Sequence, residues 1–213
     1  MLPLSGVRYI VARKNAASTL LVWQRLRRLT LGVLLLVPGF SQSEDSPSYR
    51  VVGAILERAK RDDLNSLKNS VRTLAPYMKR LSDKYGEELL VRFDEGIAVR
   101  NRDAVIDTII LMAVLQAREG VESCAKDELT GWKNARLRAG AAFLSFDAVT
   151  NEARARYPSN DEEVAAGFVR LAVALKSVDL TTDPIAFEMA KDALLGRLKR
   201  MAKTLTGAKS RKK

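Results

Sequence analysis

Along most of this chain the apolar residues recur at alternating steps of three and four, and no stretch of any length shows the two-residue period of a half-buried strand. From Asp62 or Asp63, either of which suits a helix N-cap, the positions Leu64, Leu67, Val71, Leu74, Met78, Leu81 and Tyr85 form a single seam over three heptads. Pro76 falls inside it and predicts a kink and not an end, because proline removes one donor from an otherwise continuous ladder. Val51, Val52, Ile55 and Ala59 predict a shorter helix before this one. Leu90, Phe93 and Ile97 predict another after Gly86, ending near Asn101. The next helix, from about Asp103 to Ser123, carries the uninterrupted apolar run Ile109 to Leu115 and is expected to be the most buried element.

The second half repeats the pattern with smaller residues. From Thr130 or Asn134, the seam Ala135, Ala139, Ala142, Phe146, Val149, Ala153 and Tyr157 predicts one helix, and its alanines imply close approach of a neighbouring helix backbone. Pro158 is expected to stop it. Ser159-Asn160-Asp161-Glu162 then reads as a capping box for a helix with Val164, Phe168, Leu171 and Leu175 inward. Asp183 and Pro184, cap and first helical residue, open the last helix, with Phe187, Ala190, Leu194, Leu198, Met201 and Leu205 facing the core. The fold class is therefore all-α, an antiparallel bundle of five or six helices. About 170 residues, from 44 to 205 with a basic disordered tail at 206–213, suffice for one domain with a sizeable core.

Charge changes the picture at the two ends. The first 43 residues hold six bases and no acid, with the cluster Arg25, Arg27, Arg28 ahead of the apolar stretch Leu29 to Val37, then Pro38-Gly39 and the small residues Ser41 and Ser43. That is the layout of a targeting segment cut ahead of Glu44. Its apolar centre and cleavage-like ending favour bacterial export, to the periplasm or beyond. The long basic lead with Arg8, Arg13, Lys14, Ser5 and Ser18 also fits an organellar, mitochondrial presequence. A nine-residue apolar run falls short of the ~20 needed to span a bilayer. Residues 197–213 add eight bases, whereas residues 44–196 carry 22 bases against 25 acids. The net charge of +11 is thus a property of the ends, and the interspersed body lacks the basic stripe of a nucleic-acid binder. The tail from Lys209 to Lys213 is suited to anionic lipid or to an acidic patch on a partner, or is simply a solvated end.

Histidine is absent, which removes Ser-His-Asp and Cys-His catalysis, His-ligated haem and His-containing zinc or di-iron sites from this chain's own repertoire. Cys124 is alone, so neither an internal disulfide nor a C-x-x-C pair can form. No glycine pattern matches a phosphate loop. No residue is singled out as catalytic or cofactor-binding, and the expectation is a non-enzymatic protein.

One constellation remains, Arg118-Glu119-Gly120-Val121-Glu122, directly after the apolar run. Glu119 and Glu122 are three apart, which puts both carboxylates on one helical face, where they could meet a hard cation with help from Asp147 and Glu152, or Asp94 and Glu95, on other helices. The same spacing equally suits exposed acids, with Glu122 pairing to Arg118 at i,i+4 and Phe146 serving as core. Arg-Glu-Gly-x-Glu after an apolar helix resembles the iron-binding motif of the bacterial and fungal iron permease family. Ala142-Phe143-Leu144-Ser145-Phe146-Asp147 through Phe168, Leu171 and Leu175 is similar to the extracytoplasmic helical portion of some bacterial members, so that the resemblance spans about residues 118–176. It implies iron, or another hard cation, at Glu119 and Glu122, and helical phase makes Asp147 and Glu152 the candidates to complete the site. The expected function is that of an exported helical accessory or binding protein with a protein partner, which a membrane protein would suit, and no nucleic acid. Cation handling through clustered carboxylates is the alternative, and a soluble subunit of an organellar complex is a third.

Overall fold

The computed structural model describes residues 49–61, 63–126, 131–181 and 184–207. Asp62, Thr130 and Asp183, the targeting segment with its cut at Glu44, and the tail from 208 to 213 lie outside the described residues. Within them every regular element is helical: α1 (Tyr49–Lys60), α2 (Leu64–Tyr85), α3 (Leu89–Ala98), α4 (Arg102–Glu122), α5 (Lys133–Asp147), α6 (Thr150–Arg156), α7 (Pro158–Thr181) and α8 (Pro184–Gly207). The described residues hold eight helices, one more than the seven apolar patterns read along the chain, because the helix predicted through Tyr157 is two.

Caps explain several boundaries. The Asp63 carboxylate accepts from the Ser66 amide and starts α2, and Gly86, at φ 71°, ends it in the left-handed conformation that glycine adopts without steric cost. The Asn101 side chain does for α4 what Asp63 does for α2, accepting from the Ala104 amide. Pro76 leaves α2 unbroken. The predicted helix through Tyr157 is divided at Ala148 and Val149 into α5 and α6, although its apolar seam continues across the break, with Val149 and Ala153 buried. Pro158 does not merely stop α6: it is the first residue of α7, where its missing donor costs nothing and its fixed φ suits the helix. The Ser159 to Glu162 segment therefore lies inside the first turns of α7 and is not a cap preceding it.

α4 is the hub. It packs against α1, α2, α3, α5 and α8, and Val105, Ile106 and all seven residues from Ile109 to Leu115 are buried. α7 lies mainly against α8 and also against α5 and α6, so α8 joins it to the centre. Leu74, Phe146, Phe168 and Leu198, one on each of the four long seams, are buried as expected, whereas Tyr85, Tyr157 and Ala190 on the same seams are only half-buried. Phe168 carries the aromatic packing, stacked on Phe146 at 6.0 Å and met edge-on by Phe143 at 5.5 Å. The alanine seam of α5 has the predicted consequence: a Cβ on Gly120 of α4 would stand 2.8 Å from the Ala142 Cβ. A cavity of about 10 Å³ among Ile55, Leu74, Met78, Phe93 and Met112 has one polar neighbour, Thr108, whose hydroxyl donates to the Ala104 carbonyl. It is a packing void, since a water there would lack partners.

Basic side chains close helix ends from neighbouring elements. Arg92 of α3 donates to the Leu205 carbonyl near the end of α8 (3.0 Å), Lys191 of α8 to the Cys124 carbonyl just past α4 (3.1 Å), and Arg138 of α5 to the Ser123 carbonyl. Each cation meets the negative end of a helix dipole and satisfies a carbonyl that the helix itself leaves open.

Candidate functional site

Glu119 and Glu122 lie near the C-terminal end of α4, opposite the last turns of α2. The geometry of α2 decides what they meet: Arg80 and Lys84 sit one turn apart and Tyr85 follows, so three polar heads reach across together. The Arg80 guanidinium donates to both oxygens of Glu119 (Nη2–Oε2 2.8 Å), and the Lys84 ammonium lies 3.4 Å from Glu119 and 3.3 Å from Glu122. Glu122 accepts from Arg118 Nε at 2.8 Å, the i,i+4 pair read from the sequence, and from the Tyr85 hydroxyl at 2.8 Å. Arg118 also stacks over the Tyr85 ring, 4.2 Å from its centroid.

Burial tends to raise the Glu122 carboxyl, but the Tyr85 and Arg118 hydrogen bonds outweigh it and hold the group below the ordinary carboxylate range. The Tyr85 phenol is pushed well up, first by burial and then by donating to Glu122. These partners make the two glutamates acceptors in a closed network with three cations and a phenol. The glycine between them is there for packing, since the backbone of α5 crosses at that point.

The other two predicted ligands do not join them. Glu152 of α6 accepts from Arg156 at 2.8 Å, and Arg156 reaches Asp103 (2.7 Å) and Asp107 (3.3 Å) in the first turns of α4. Lys60 at the end of α1 adds a longer pair to Glu152 at 3.9 Å. Asp103 and Glu119 are sixteen residues apart on one helix, about 24 Å at 1.5 Å per residue. A cation cannot be shared across that distance. Asp147, at the end of α5, acts electrostatically on Asp161 of α7, and Asp94 and Glu95 are exposed on α3. Among the described residues no group of three or more His, Cys, Asp or Glu is placed to hold a metal ion. Glu119 and Glu122 thus lie at one end of α4 with Arg80, Lys84 and Arg118, and Glu152 lies by the other end with Arg156 and Lys60, so that among the described residues Glu119, Glu122, Asp147 and Glu152 are not brought together as one group.

A direct check is a thermal shift with ferric, ferrous, manganese and calcium ions on the wild type and on a Glu119→Gln, Glu122→Gln double variant. The expected result is that no ion shifts one protein more than the other. A shift in the wild type that the double variant loses would restore the cation site.

Sequence reasoning missed the Arg156 cluster. Asp107 interrupts the apolar α4 and Arg156 ends α6, but 49 residues separate them and no local spacing connects them. Burial raises the Asp107 carboxyl, against the pull of Arg156, and pushes the Tyr157 phenol up to about 12, helped by Asp107. Arg156 itself is held even more firmly protonated than usual: burial works against its charge, but hydrogen bonds to Glu152 and Asp103 win. The cluster therefore ties α4 to α6 and, through Lys60, to α1.

Cys124 lies buried just past α4, its sulfur 3.3 Å from the Gly120 carbonyl and 3.4 Å from that of Ala135. Burial pushes its thiol up to about 12 despite Lys191 and Arg138 nearby, so the thiolate needed for nucleophilic or ligand chemistry is disfavoured.

Set beside protein-family models, curated proteins and solved structures, the chain matches none.

Proposed function

We propose that this chain is an exported accessory protein that acts by binding a protein partner, with its helices arranged as an antiparallel bundle that displays the contact surface. The observation that carries this reading is an apolar stripe at the start of α8, where Ile185 and Met189, one turn apart, are 67 % and 68 % exposed. On the opposite side of the same helix Phe187, Leu194, Leu198, Met201 and Leu205 are buried. The stripe is thus a departure from the helix's own pattern. Glu188 and Asp192 flank it, so a partner with an apolar anchor and basic surroundings is the best complement. The missing histidine and the suppressed Cys124 thiol support binding over catalysis, and the near-neutral body supports a protein partner over nucleic acid. Export rests on the charge pattern of residues 1–43. No helix among the described residues is long and apolar enough to cross a membrane.

Expressed from its full sequence in a bacterial host, the protein is expected in the periplasmic fraction with its N-terminus near Glu44. A photo-crosslinking residue at position 189 should give one discrete adduct, which Ile185→Lys abolishes while helicity and thermal midpoint stay unchanged. Recovery of intact residues 1–43 in the cytosol would overturn export, and a diffuse adduct pattern indifferent to Ile185→Lys would overturn the contact surface.

A further inference from the structure

Asp161 is the charged residue among the described ones that is wholly enclosed, at 0 % exposure. It lies in the first turn of α7, one turn past Tyr157, the single residue between α6 and α7 and the only departure from helical backbone there (φ −136°, ψ 58°). The two carboxylate oxygens fare differently. Oδ2 accepts from Arg154 Nε of α6 at 3.1 Å, whereas Oδ1, equally enclosed, has no donor in hydrogen-bonding geometry among the described residues.

The charged groups around it are few. α6 contributes Arg154, and α5 contributes Asp147, a like charge. α8 runs alongside with Arg197 and Arg200, both engaged by Glu163, through its carbonyl (3.1 Å) and its carboxylate (2.9 Å). On α7 itself Glu162 and Glu163 are exposed. The Thr150 hydroxyl of α6 also favours the ionised form, but an enclosed carboxylate whose Oδ1 has no donor in hydrogen-bonding geometry is still costly when charged, because Arg154 and Thr150 do not replace all the water it has lost. The protonated form keeps the bond from Arg154 and removes the penalty on the second oxygen.

We propose that Asp161 and Arg154 form a proton-operated latch on the joint between α6 and α7, closed and dry when the carboxyl is protonated, and opened enough to admit water when it is ionised. Burial pushes the carboxyl up from 3.8 to about 6, with Arg154 and the Thr150 hydroxyl opposing and Asp147 assisting. Because this pKa is raised in the folded state, the closed form binds more protons than the open one between those values. Closure is therefore strongest below the lower value and weakens as pH rises to the upper one, with no further change above it.

The experiment uses the full chain and follows amide-exchange protection of residues 150–168, corrected for intrinsic exchange, together with thermal midpoints between pH 4.5 and 8. In the wild type the opening constant of this segment should rise by up to roughly thirtyfold across that range, the factor set by the roughly 1.5 pH units of the shift that lie above pH 4.5. In Asp161→Asn it should stay level. Arg154→Gln, which keeps the carboxyl and removes its cation, should move the wild-type step to higher pH. Parallel profiles for the wild type and Asp161→Asn, or a step that Arg154→Gln leaves in place, would overturn the latch.

Discussion

Replacing Phe146 by Ala is expected to lower the unfolding free energy by about 3–5 kcal/mol, the range for removing a buried phenylalanine ring from a core that cannot close over the space. The ring is fully enclosed in α5 and stacks on Phe168 of α7, so its loss also leaves Phe168 without its stacked partner. A stability of 5–15 kcal/mol is usual for a domain, which makes this a large share of the whole. At about 2–4 °C per kcal/mol for a protein of this size, the thermal midpoint should fall by roughly 10 °C. Phe146→Leu, which keeps most of the volume, should cost much less. An unchanged midpoint for the alanine variant would mean that the α5 helix is wrongly phased.

The second large effect comes from adding atoms. Gly120→Ala places a Cβ 2.8 Å from the Ala142 Cβ, 3.3 Å from its Cα and 3.4 Å from the Arg138 carbonyl oxygen. These are main-chain and Cβ atoms, which no rotamer change can move, so α4 and α5 must separate where Cys124 and the Arg138–Ser123 bond also sit. A net loss of about 2 kcal/mol is expected, the overpacking cost exceeding the gain of up to about 1 kcal/mol that Ala brings to a helix interior. Gly53→Ala supplies the control: no described atom lies within 4 Å of its added Cβ, and a gain of about 0.5–1 kcal/mol is expected. Denaturant unfolding of both variants should therefore give opposite signs for one chemical change. Equal signs would show that the close approach at Gly120 is not tight.

How much of this was legible beforehand depends on the range of the interaction. The seams through Leu74, Phe146, Phe168 and Leu198 were legible because helical period and burial are coupled residue by residue, and the three-four spacing leaves little freedom in phase. The caps at Asp63 and Asn101 were within reach for the same reason, as each acts over three residues. The Arg118–Glu122 pair followed from i,i+4 spacing alone. What the period does not reveal is where a helix ends when its seam continues, and so the break at Ala148 and the start of α7 at Pro158 were misread. The surroundings of the candidate site lie at longer range. Glu119 was read either with other acids around a cation or as an exposed acid of its helix, and Arg80 and Lys84, 39 and 35 residues away, are the groups that meet it. Nothing local records that α2 and α4 cross with those side chains facing each other.

The position of α4 bears on how the chain can vary. Helices on the rim, such as α2, alternate buried and exposed residues, and a scan of substitutions along them should trace the helical period, with tolerance at Lys68, Arg72 and Lys79 and intolerance at Leu67, Val71 and Met78. Between Ile109 and Ala117 every residue is buried. There the same scan should be flat and low, with no tolerated face through which the sequence could drift. Change in this protein is then channelled outward, to the rim helices that carry the Met189 stripe and the ion-paired ends, while the middle of α4 is held nearly fixed from all sides at once.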